Sequence, residues 1–586
     1  MSARKLLPPL LAVIALAIPY LVPAYALTLL AYVGMAALVA LGLVLLTGIA
    51  GQTSFGQAAF VGIAAYTSAY LAKVQGVSPF LGLPAGLLGT GVVAWLLGLI
   101  TSRLSGHYLA LASVAWGISF PYLFATIGPL GGFNGMADIP TLSAFGHRLT
   151  DPHAWLYLIW AVLLASVWLA RNLLDGRRGR AIRALAGGRT MADSLGIDTA
   201  RLSRTVFVLA ALAAGLSGWL FAHYQLFINP SPFSLDAGIE YLFMVIVGGV
   251  AWLWGAVVGA GVVVVLRDQL NDLLPRLIGQ PGNYETIVFA IVVIVVLQRA
   301  PAGLWPMLRR LASPAPPARP GVAVALPHRG APAGSAPALE LSGVTRRFGG
   351  LVAASGIGFA VYPGEIVALI GPNGAGKTTV FNLISGALAP DEGRIQVFGA
   401  DVAGLPARDV ARRGVARTFQ HVRLLPERSV LENIALGAHE RGRSGLLAAL
   451  LRLDRAEERR LLAEAARQAA RVGLAARLME PAGSLPLGQQ RIVEIARALA
   501  ADPRLLLLDE PAAGLRLQEK AQLAVLLQGL RAEGMAVLLV EHDMDFVMNL
   551  ADRVVVMDFG QTIAEGLPAV VQSDEAVLEA YLGGIE

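Results

Sequence analysis

Long apolar runs separated by short polar breaks fill the first half of this 586-residue chain, and beyond residue 338 short apolar strands alternate with helical patterns. The apolar runs fall at residues 6–21, 25–46, 58–71, 80–100, 108–127, 155–169, 206–222, 239–250, 253–266 and 286–297. Several are shorter than the roughly 20 residues a straight crossing needs, so tilt, breaks or re-entrant geometry are expected. The pattern predicts a polytopic all-α membrane domain of about ten segments over residues 1–311. An α/β domain over residues 338–586 comes after it. Residues 312–337 between them are rich in proline, alanine and glycine, cannot build a core, and read as a semi-extended tether.

Charge sets an orientation for the apolar half. Residues 171–204 carry eight arginines against three aspartates, the strongest positive stretch between spans, which predicts a cytoplasmic loop. Arg4 and Lys5 put the N-terminus on the same side. They also resemble the start of a signal peptide, but further spans come after without a cleavage site, so residues 6–21 read as a first span. Six spans then precede the arginine loop and an even number must succeed it. Residues 239–266 therefore have to cross twice, or dip in and return, around Gly248-Gly249-Val250-Ala251. Glycines recur in the spans (Gly56, Gly62, Gly86, Gly215, Gly218, Gly255, Gly259), where close helix packing is the plainer explanation than a direct transport role. Glu240 and Glu285 sit at span edges, either lining a pathway or facing water at a helix end.

Hydrophobic residues make up 56% of the chain and charged residues 15%, too apolar for a wholly soluble protein. The net charge of +6 is explained by arginines in membrane loops, so no nucleic-acid partner is expected. There is no cysteine, which excludes disulfides, thiol catalysis and Cys-ligated metals. Lysine occurs only at Lys5, Lys73, Lys377 and Lys520.

Lys377 lies in Gly371-Pro372-Asn373-Gly374-Ala375-Gly376-Lys377-Thr378, which fits G-x-x-x-x-G-K-[ST]. Glycines at this spacing let backbone N–H groups turn onto phosphate oxygens. Lys377 supplies a fixed charge for the β- and γ-phosphates, and Thr378 a hydroxyl for Mg²⁺. Residues 366–370 predict a buried parallel strand entering the loop, and the stretch from Thr379 to Ser385 a helix leaving it.

Motifs in the apolar half resemble the permease subunits of branched-chain amino acid (LIV-type) ABC importers. Ser54-Phe55-Gly56-Gln57-Ala58-Ala59-Phe60 is similar to their S-x-G-[HQ]-A-A-F segment, and Gly106-His107-Tyr108-Leu109-Ala110-Leu111-Ala112 to their R-G-x-Y-F-A-L-A segment. Gly131-Gly132-Phe133-Asn134-Gly135 resembles their T-G-G-x-x-G loop, and Ile239-Glu240 through Gly248-Gly249 and Gly255–Ala260 their later glycine pattern. In such importers an E-A-A-x-x-x-G loop docks a short helix into the ATPase. Here Gly196 matches the glycine, while Thr190-Met191-Ala192 stand at the Glu-Ala-Ala positions. The resemblance implies a coupling role for this loop, against the plain alternative of a positive loop that only retains topology.

The segment from Ala338 to Glu586 resembles ABC-type ATPases, and within them the LIV-type ATP-binding subunit. The carriers of the likeness are Arg346-Arg347-Phe348-Gly349-Gly350, Arg417-Thr418-Phe419-Gln420, Leu505–Glu510, Gly488-Gln489-Gln490-Arg491 and the tail Glu579-Ala580-Tyr581-Leu582-Gly583. The resemblance implies that Gln420 reaches Mg²⁺ and the attacking water, and that Asp509 holds Mg²⁺ with Thr378. Glu510 is the implied general base, and His542 the implied contact to the γ-phosphate. Thr379 belongs to the phosphate cradle. Phe348 either stacks on adenine or fills a core. Leu485-Pro486-Leu487-Gly488-Gln489 stands where L-S-G-G-Q caps the γ-phosphate of the opposite ATPase, with Leu487, Gly488 and Gln489 as the contacting residues. Pro486 replaces the serine hydroxyl, and Arg516 replaces the usual D-loop aspartate, so the two composite sites need not be equivalent.

Both halves thus imply one importer family, a permease joined to an ATPase that uses ATP and Mg²⁺ in a bacterial inner membrane. The ATPase domain is expected in the cytoplasm. The implied partners are membrane lipid, a second permease, a second ABC ATPase and an extracellular or periplasmic solute-binding protein. Leucine, isoleucine or valine are the implied solutes, with urea, other amino acids or aromatic acids as alternatives. An exporter half fits badly, because exporters favour six long helices with deep cytoplasmic extensions. A membrane-anchored regulatory ATPase without transport is the rival of a different class.

Overall fold

A chain whose spans carry almost no charge must bury its backbone polarity within helices, and the first half does so. The computed structural model describes residues 17, 19–101, 107–144, 147–278, 284–311, 324, 326–328 and 336–582. It divides into two units: Met1–Leu173 with Ala200–Pro316, and Leu174–Thr199 with Pro317–Glu586.

The first unit is helical. Its elements are α1 (Ala24–Leu43), continued by a π-helical stretch (Val44–Ile49), α2 (Gln57–Lys73), α3 (Pro79–Thr101), α4 (His107–Thr126) and α5 (Pro152–Leu174). A small hairpin, β1 (Ser143–Ala144) with β2 (His147–Arg148), precedes α5. After the arginine-rich segment come α8 (Thr199–Gln225), α9 (Leu235–Gly248), α10 (Leu253–Ile278), α11 (Tyr284–Arg299) and α12 (Leu304–Leu311). Residues 33–46 are buried throughout, making α1 the centre of the unit. By contrast α3 turns Leu88, Val92, Trp95 and Leu96 outward. An apolar face of that size is stable against lipid, not water.

Nine of the ten expected segments fall on described helices, and residues 6–21 lie almost wholly outside the described residues. Among the described residues, six helices are long and apolar enough to cross a membrane. Helices α2, α9 and α11, at 17, 14 and 16 residues, are shorter. The count of ten crossings is therefore only approximate. The reversal expected in residues 239–266 is present, since α9 ends at Gly248 and α10 begins at Leu253. Glycine permits it: a Cβ on Gly248 would sit 1.8 Å from the Gly255 carbonyl oxygen, and one on Gly259 would sit 1.7 Å from that of Met244. The close packing expected of these glycines is thus backbone-to-backbone contact in an antiparallel hairpin.

The second unit holds α6 (Arg177–Ala186) and α7 (Arg189–Ser194) together with an α/β cassette. The cassette strands are β3 (Leu339–Phe348), β4 (Leu351–Val361), β5 (Ile366–Ile370), β6 (Glu392–Val397), β7 (Ala400–Asp401), β8 (Val415–Arg417), β9 (Leu505–Asp509), β10 (Ala536–Val540), β11 (Arg553–Asp558) and β12 (Gln561–Gly566). Six form a sheet in the order β12-β11-β5-β10-β9-β8, parallel except for β12, and four form an antiparallel sheet in the order β4-β3-β6-β7. Every residue of β5, β9 and β10 is buried, which is why these strands read as unbroken apolar runs. Helices α13 (Lys377–Ile384) and α14 (Ala407–Arg412) lie between β5 and β8; α15 (Val430–Gly437), α16 (Leu446–Leu450), α17 (Arg455–Arg471) and α18 (Leu487–Ala500) come next. Of these, α15, α17 and α18 share a core of their own. The tether falls mostly outside the described residues. Its Pro327 carbonyl accepts a hydrogen bond from Arg441, and His328 meets Asp502 at 2.9 Å.

Candidate nucleotide site at the strand tips

Parallel strands carry the loops at their C-terminal ends to one edge of the sheet, and here three strands deliver chemistry to that edge. Strand β5 runs into the glycine loop and α13. Gly371, Gly374 and Gly376 have φ of 148°, 88° and 98°. At Gly376 a Cβ would lie 2.2 Å from the Ala353 carbonyl oxygen, so the αL conformation and the close approach both require glycine. Lys377 is buried, and its Nζ donates to the Gly371 and Pro372 carbonyls at 2.7 and 2.9 Å. Burial lowers its pKa, with Glu510 and Asp509 opposing the shift. Asn373, Gly374 and Thr378 are exposed at the loop surface; Pro372, Gly376 and Thr379 are partly covered, and Ala375 is buried.

Strand β9 ends at Asp509. Burial raises this carboxyl above its usual range, and Arg417 pulls it back. Arg417, at the end of β8, donates to Asp509 Oδ2 at 3.3 Å, Asn382 Oδ1 at 2.7 Å and Ser385 Oγ at 2.8 Å. The Asp509 N–H donates to the Thr418 hydroxyl at 3.1 Å. Glu510, the next residue, adopts φ 49°, a strained conformation for a non-glycine residue. Its N–H donates to the Val540 carbonyl at 2.9 Å, and its Oε1 receives Gln420 Nε2 at 3.1 Å and lies 3.3 Å from His542 Nε2. Strand β10 leads to Glu541, whose buried carboxylate accepts from the Ala512 and His542 N–H groups and so fixes the turn carrying His542.

The structure brings Gln420, Glu510 and His542 into one cluster, beside Asp509 and near the charge of Lys377. Phe348 is 43% exposed, with the Arg346 guanidinium 5.0 Å from its ring centre, so it fills no core. Among the described residues no hydrogen bond links Leu487, Gly488 or Gln489 to residues 371–378. Pro486 stands at the start of α18 without a side-chain cap, and a Cβ on Gly488 would meet Leu515 at 3.0 Å. Arg491 reaches the Glu510 and Gln420 carbonyls at 2.8 and 3.1 Å. Sequence reasoning gave Arg417, Arg491 and Glu541 no role. The available signal was a lone arginine ending an apolar strand, since a buried cation needs a carboxylate partner.

The arginine-rich segment is built into the same unit. Arg177 donates its N–H to Glu458 Oε2 at 3.0 Å, and its guanidinium to the carbonyls of His439 and Ser444 at 2.8 and 2.6 Å. Arg180 forms a buried ion pair with Glu458. Met191 and Ala192, at the Glu-Ala-Ala positions, are fully buried. Gly196 has φ 82°, and a Cβ there would come 2.1 Å from Glu440. His439 is held well below its usual pKa by burial and the surrounding arginines.

A glycine loop with one buried lysine, near the carboxylates of Asp509 and Glu510, has the groups that nucleotide phosphates require. Comparison with known proteins places each half. Residues 25–297 match the family model for the permease component of branched-chain amino acid transport systems. Residues 354–513 match the ABC transporter model, and residues 561–586 that of the branched-chain amino acid ATP-binding cassette transporter. The high-affinity branched-chain amino acid transport ATP-binding protein BraF of Pseudomonas aeruginosa is 44% identical over 252 residues, covering 42% of this chain and 99% of the relative. LivG of Escherichia coli K12, with the same description, is 43% identical over the same shares. An ATP-binding cassette solved in its ADP conformation is 33% identical, covering 42% of this chain and all of that one, with a TM-score of 0.39. The chain belongs to the branched-chain amino acid ABC transporter family, with a permease domain and an ABC ATPase domain in one polypeptide.

Proposed function

We propose that this chain is the fused permease and ATPase subunit of an importer that couples ATP hydrolysis to uptake of leucine, isoleucine or valine. One observation carries the reading: the permease half and the ATPase half match branched-chain amino acid transport independently. The site residues take corresponding roles. Residues 371–379 cradle the phosphates, Lys377 neutralises their charge, and Phe348 stacks on the base. Thr378, Gln420 and Asp509 would hold Mg²⁺, which would supply positive charge beside the phosphate oxygens. Glu510 takes a proton from the attacking water, oriented by Gln420, and His542 steadies the γ-phosphate side. Leu487, Gly488 and Gln489 serve a second ATPase, and among the described residues no hydrogen bond ties them to this chain's own loop.

Two membrane domains are needed to enclose a pathway and two cassettes to complete each nucleotide site, and this chain has one of each. The complex therefore contains a second permease, a second ABC ATPase and a periplasmic solute-binding protein that docks near residues 129–155 and 229–238. The arginine-rich segment faces the cytoplasm with the cassette, in a bacterial inner membrane, and carries the coupling. The test is solute choice by the assembled complex in proteoliposomes. Accumulation of leucine, isoleucine and valine in preference to urea and aromatic acids supports the assignment; accumulation of urea alone overturns its substrate.

A further inference from the structure

The first unit contains a cavity of about 480 Å³ between α1, α8, α9 and α10, within the roughly 300–1,000 Å³ of small-molecule sites. On α8 it is lined by Ser217 and Phe221, toward the Gln225 end of that helix. Two sets of groups line it. Glu240 of α9 and Arg267 and Asp268 of α10 supply charge of both signs. Phe221, Phe233, Met244 and Val264 supply an apolar wall. The wall is rigid: Phe233 is fully buried and held edge-on by Phe221, Tyr66 and Phe124, with ring centres 5.9, 5.8 and 6.3 Å away. The Arg267 guanidinium donates to Glu240, and Asp268 accepts from the Tyr25 hydroxyl. Glu240 therefore faces a cavity rather than merely ending a helix at water.

We propose that this cavity binds a zwitterionic amino acid with an aliphatic side chain. Arg267 takes its α-carboxylate and Glu240 its α-ammonium, while Asp268 keeps the Tyr25 hydroxyl. The inference rests on the importer reading and extends it to a site within the permease. Ionisable groups are costly among membrane helices, and here they form a pair that satisfies itself when no ligand is bound. A zwitterion enters that pair by replacing one ion pair with two, leaving no charge unmatched. An amine or a carboxylate alone would strand one partner. Leucine buries its branched end against Phe221, Phe233, Met244 and Val264, four apolar side chains that offer a polar end no hydrogen bond of their own.

The chain has no cysteine, so Val264→Cys in the assembled complex gives a single maleimide target in the cavity. Leucine is expected to slow its labelling saturably, while leucinamide and isocaproate, each lacking one charge, give little protection. Glu240→Gln and Arg267→Lys, made in that background, should raise the half-protecting leucine concentration by about 10–100-fold, the usual scale for a hydrogen bond to a charged group. Arg267→Lys keeps the charge and loses the fork, so it serves where Arg267→Ala fails to assemble by size exclusion. The proposal is overturned if the parent complex takes up leucine but leucine gives no protection. Equal protection by isocaproate, or half-protecting concentrations unchanged in both variants, also overturns it. Absence of leucine uptake by the parent complex overturns the importer reading and this site with it.

Discussion

Arg180 and Glu458, 278 residues apart in sequence, form a buried ion pair that ties α6 to α17, and Glu458 also accepts the Arg177 N–H. Removing one partner of such a pair leaves a buried charge uncompensated, at a cost of about 3–5 kcal/mol. Arg180→Met and Glu458→Met are each expected to lower the thermal stability of the purified complex, and the double variant to lose far less than their sum. Additive losses in that double-mutant cycle would contradict the pairing. Uptake should fall in both single variants by more than ATP hydrolysis does, as a coupling role requires.

Arg417 lowers the ionisation range of Asp509 against the burial that raises it. If Asp509 holds Mg²⁺ as proposed, it must be ionised to do so, and its protonation is then expected to limit activity on the acid side. Arg417→Leu removes the opposing charge, and the acid limb of the ATPase pH profile should then move to higher pH, with weaker apparent Mg²⁺ affinity. An unchanged acid limb and Mg²⁺ dependence would remove Arg417 from this role.

Gln420 and His542 meet the same Glu510 carboxylate, the proposed general base. Glu510→Gln should still bind ATP but hydrolyse it at least about 100-fold more slowly, the low end for general-base assistance. Near-normal turnover in the assembled complex would rule out the assignment.

The α9–α10 hairpin depends on backbone contact. Gly259→Ala drives a methyl to 1.7 Å from the Met244 carbonyl oxygen, whereas the nearest atom to a Cβ on Gly261 is 3.9 Å away. Overpacking of this kind costs about 1–3 kcal/mol. Gly259→Ala should lower the melting temperature of the complex, with Gly261→Ala close to the parent. Equal melting temperatures would mean that the hairpin opens without penalty.

These sites differ in how visible they are in sequence. The glycine loop, the apolar strand before Asp509 and the reversal at Gly248–Gly249 are legible because each is a local pattern tied to backbone geometry. Gly196 is legible for the same reason, but its neighbour Glu440 is not. The pairing of Arg180 with Glu458, and of Arg417 with Asp509, joins residues far apart in the chain, and nothing local marks the partner. Helix α9 illustrates another limit: hydropathy marks an apolar run, yet whether 14 residues cross or only enter a membrane depends on what packs around them. For Phe348, an apolar residue type suited both a core and a base-stacking role, and its exposure excludes only the core.

Amino-acid uptake by this importer is driven by the ATPase domain joined to its permease domain. Its most direct test is leucine accumulation in proteoliposomes holding the complete complex and loaded binding protein, with ATP on the cassette side. Uptake should require ATP and disappear in Lys377→Ala, which loses the fixed charge in the phosphate loop. Leucine uptake that continues at the parent rate in Lys377→Ala, or without ATP, would mean that this cassette does not drive transport.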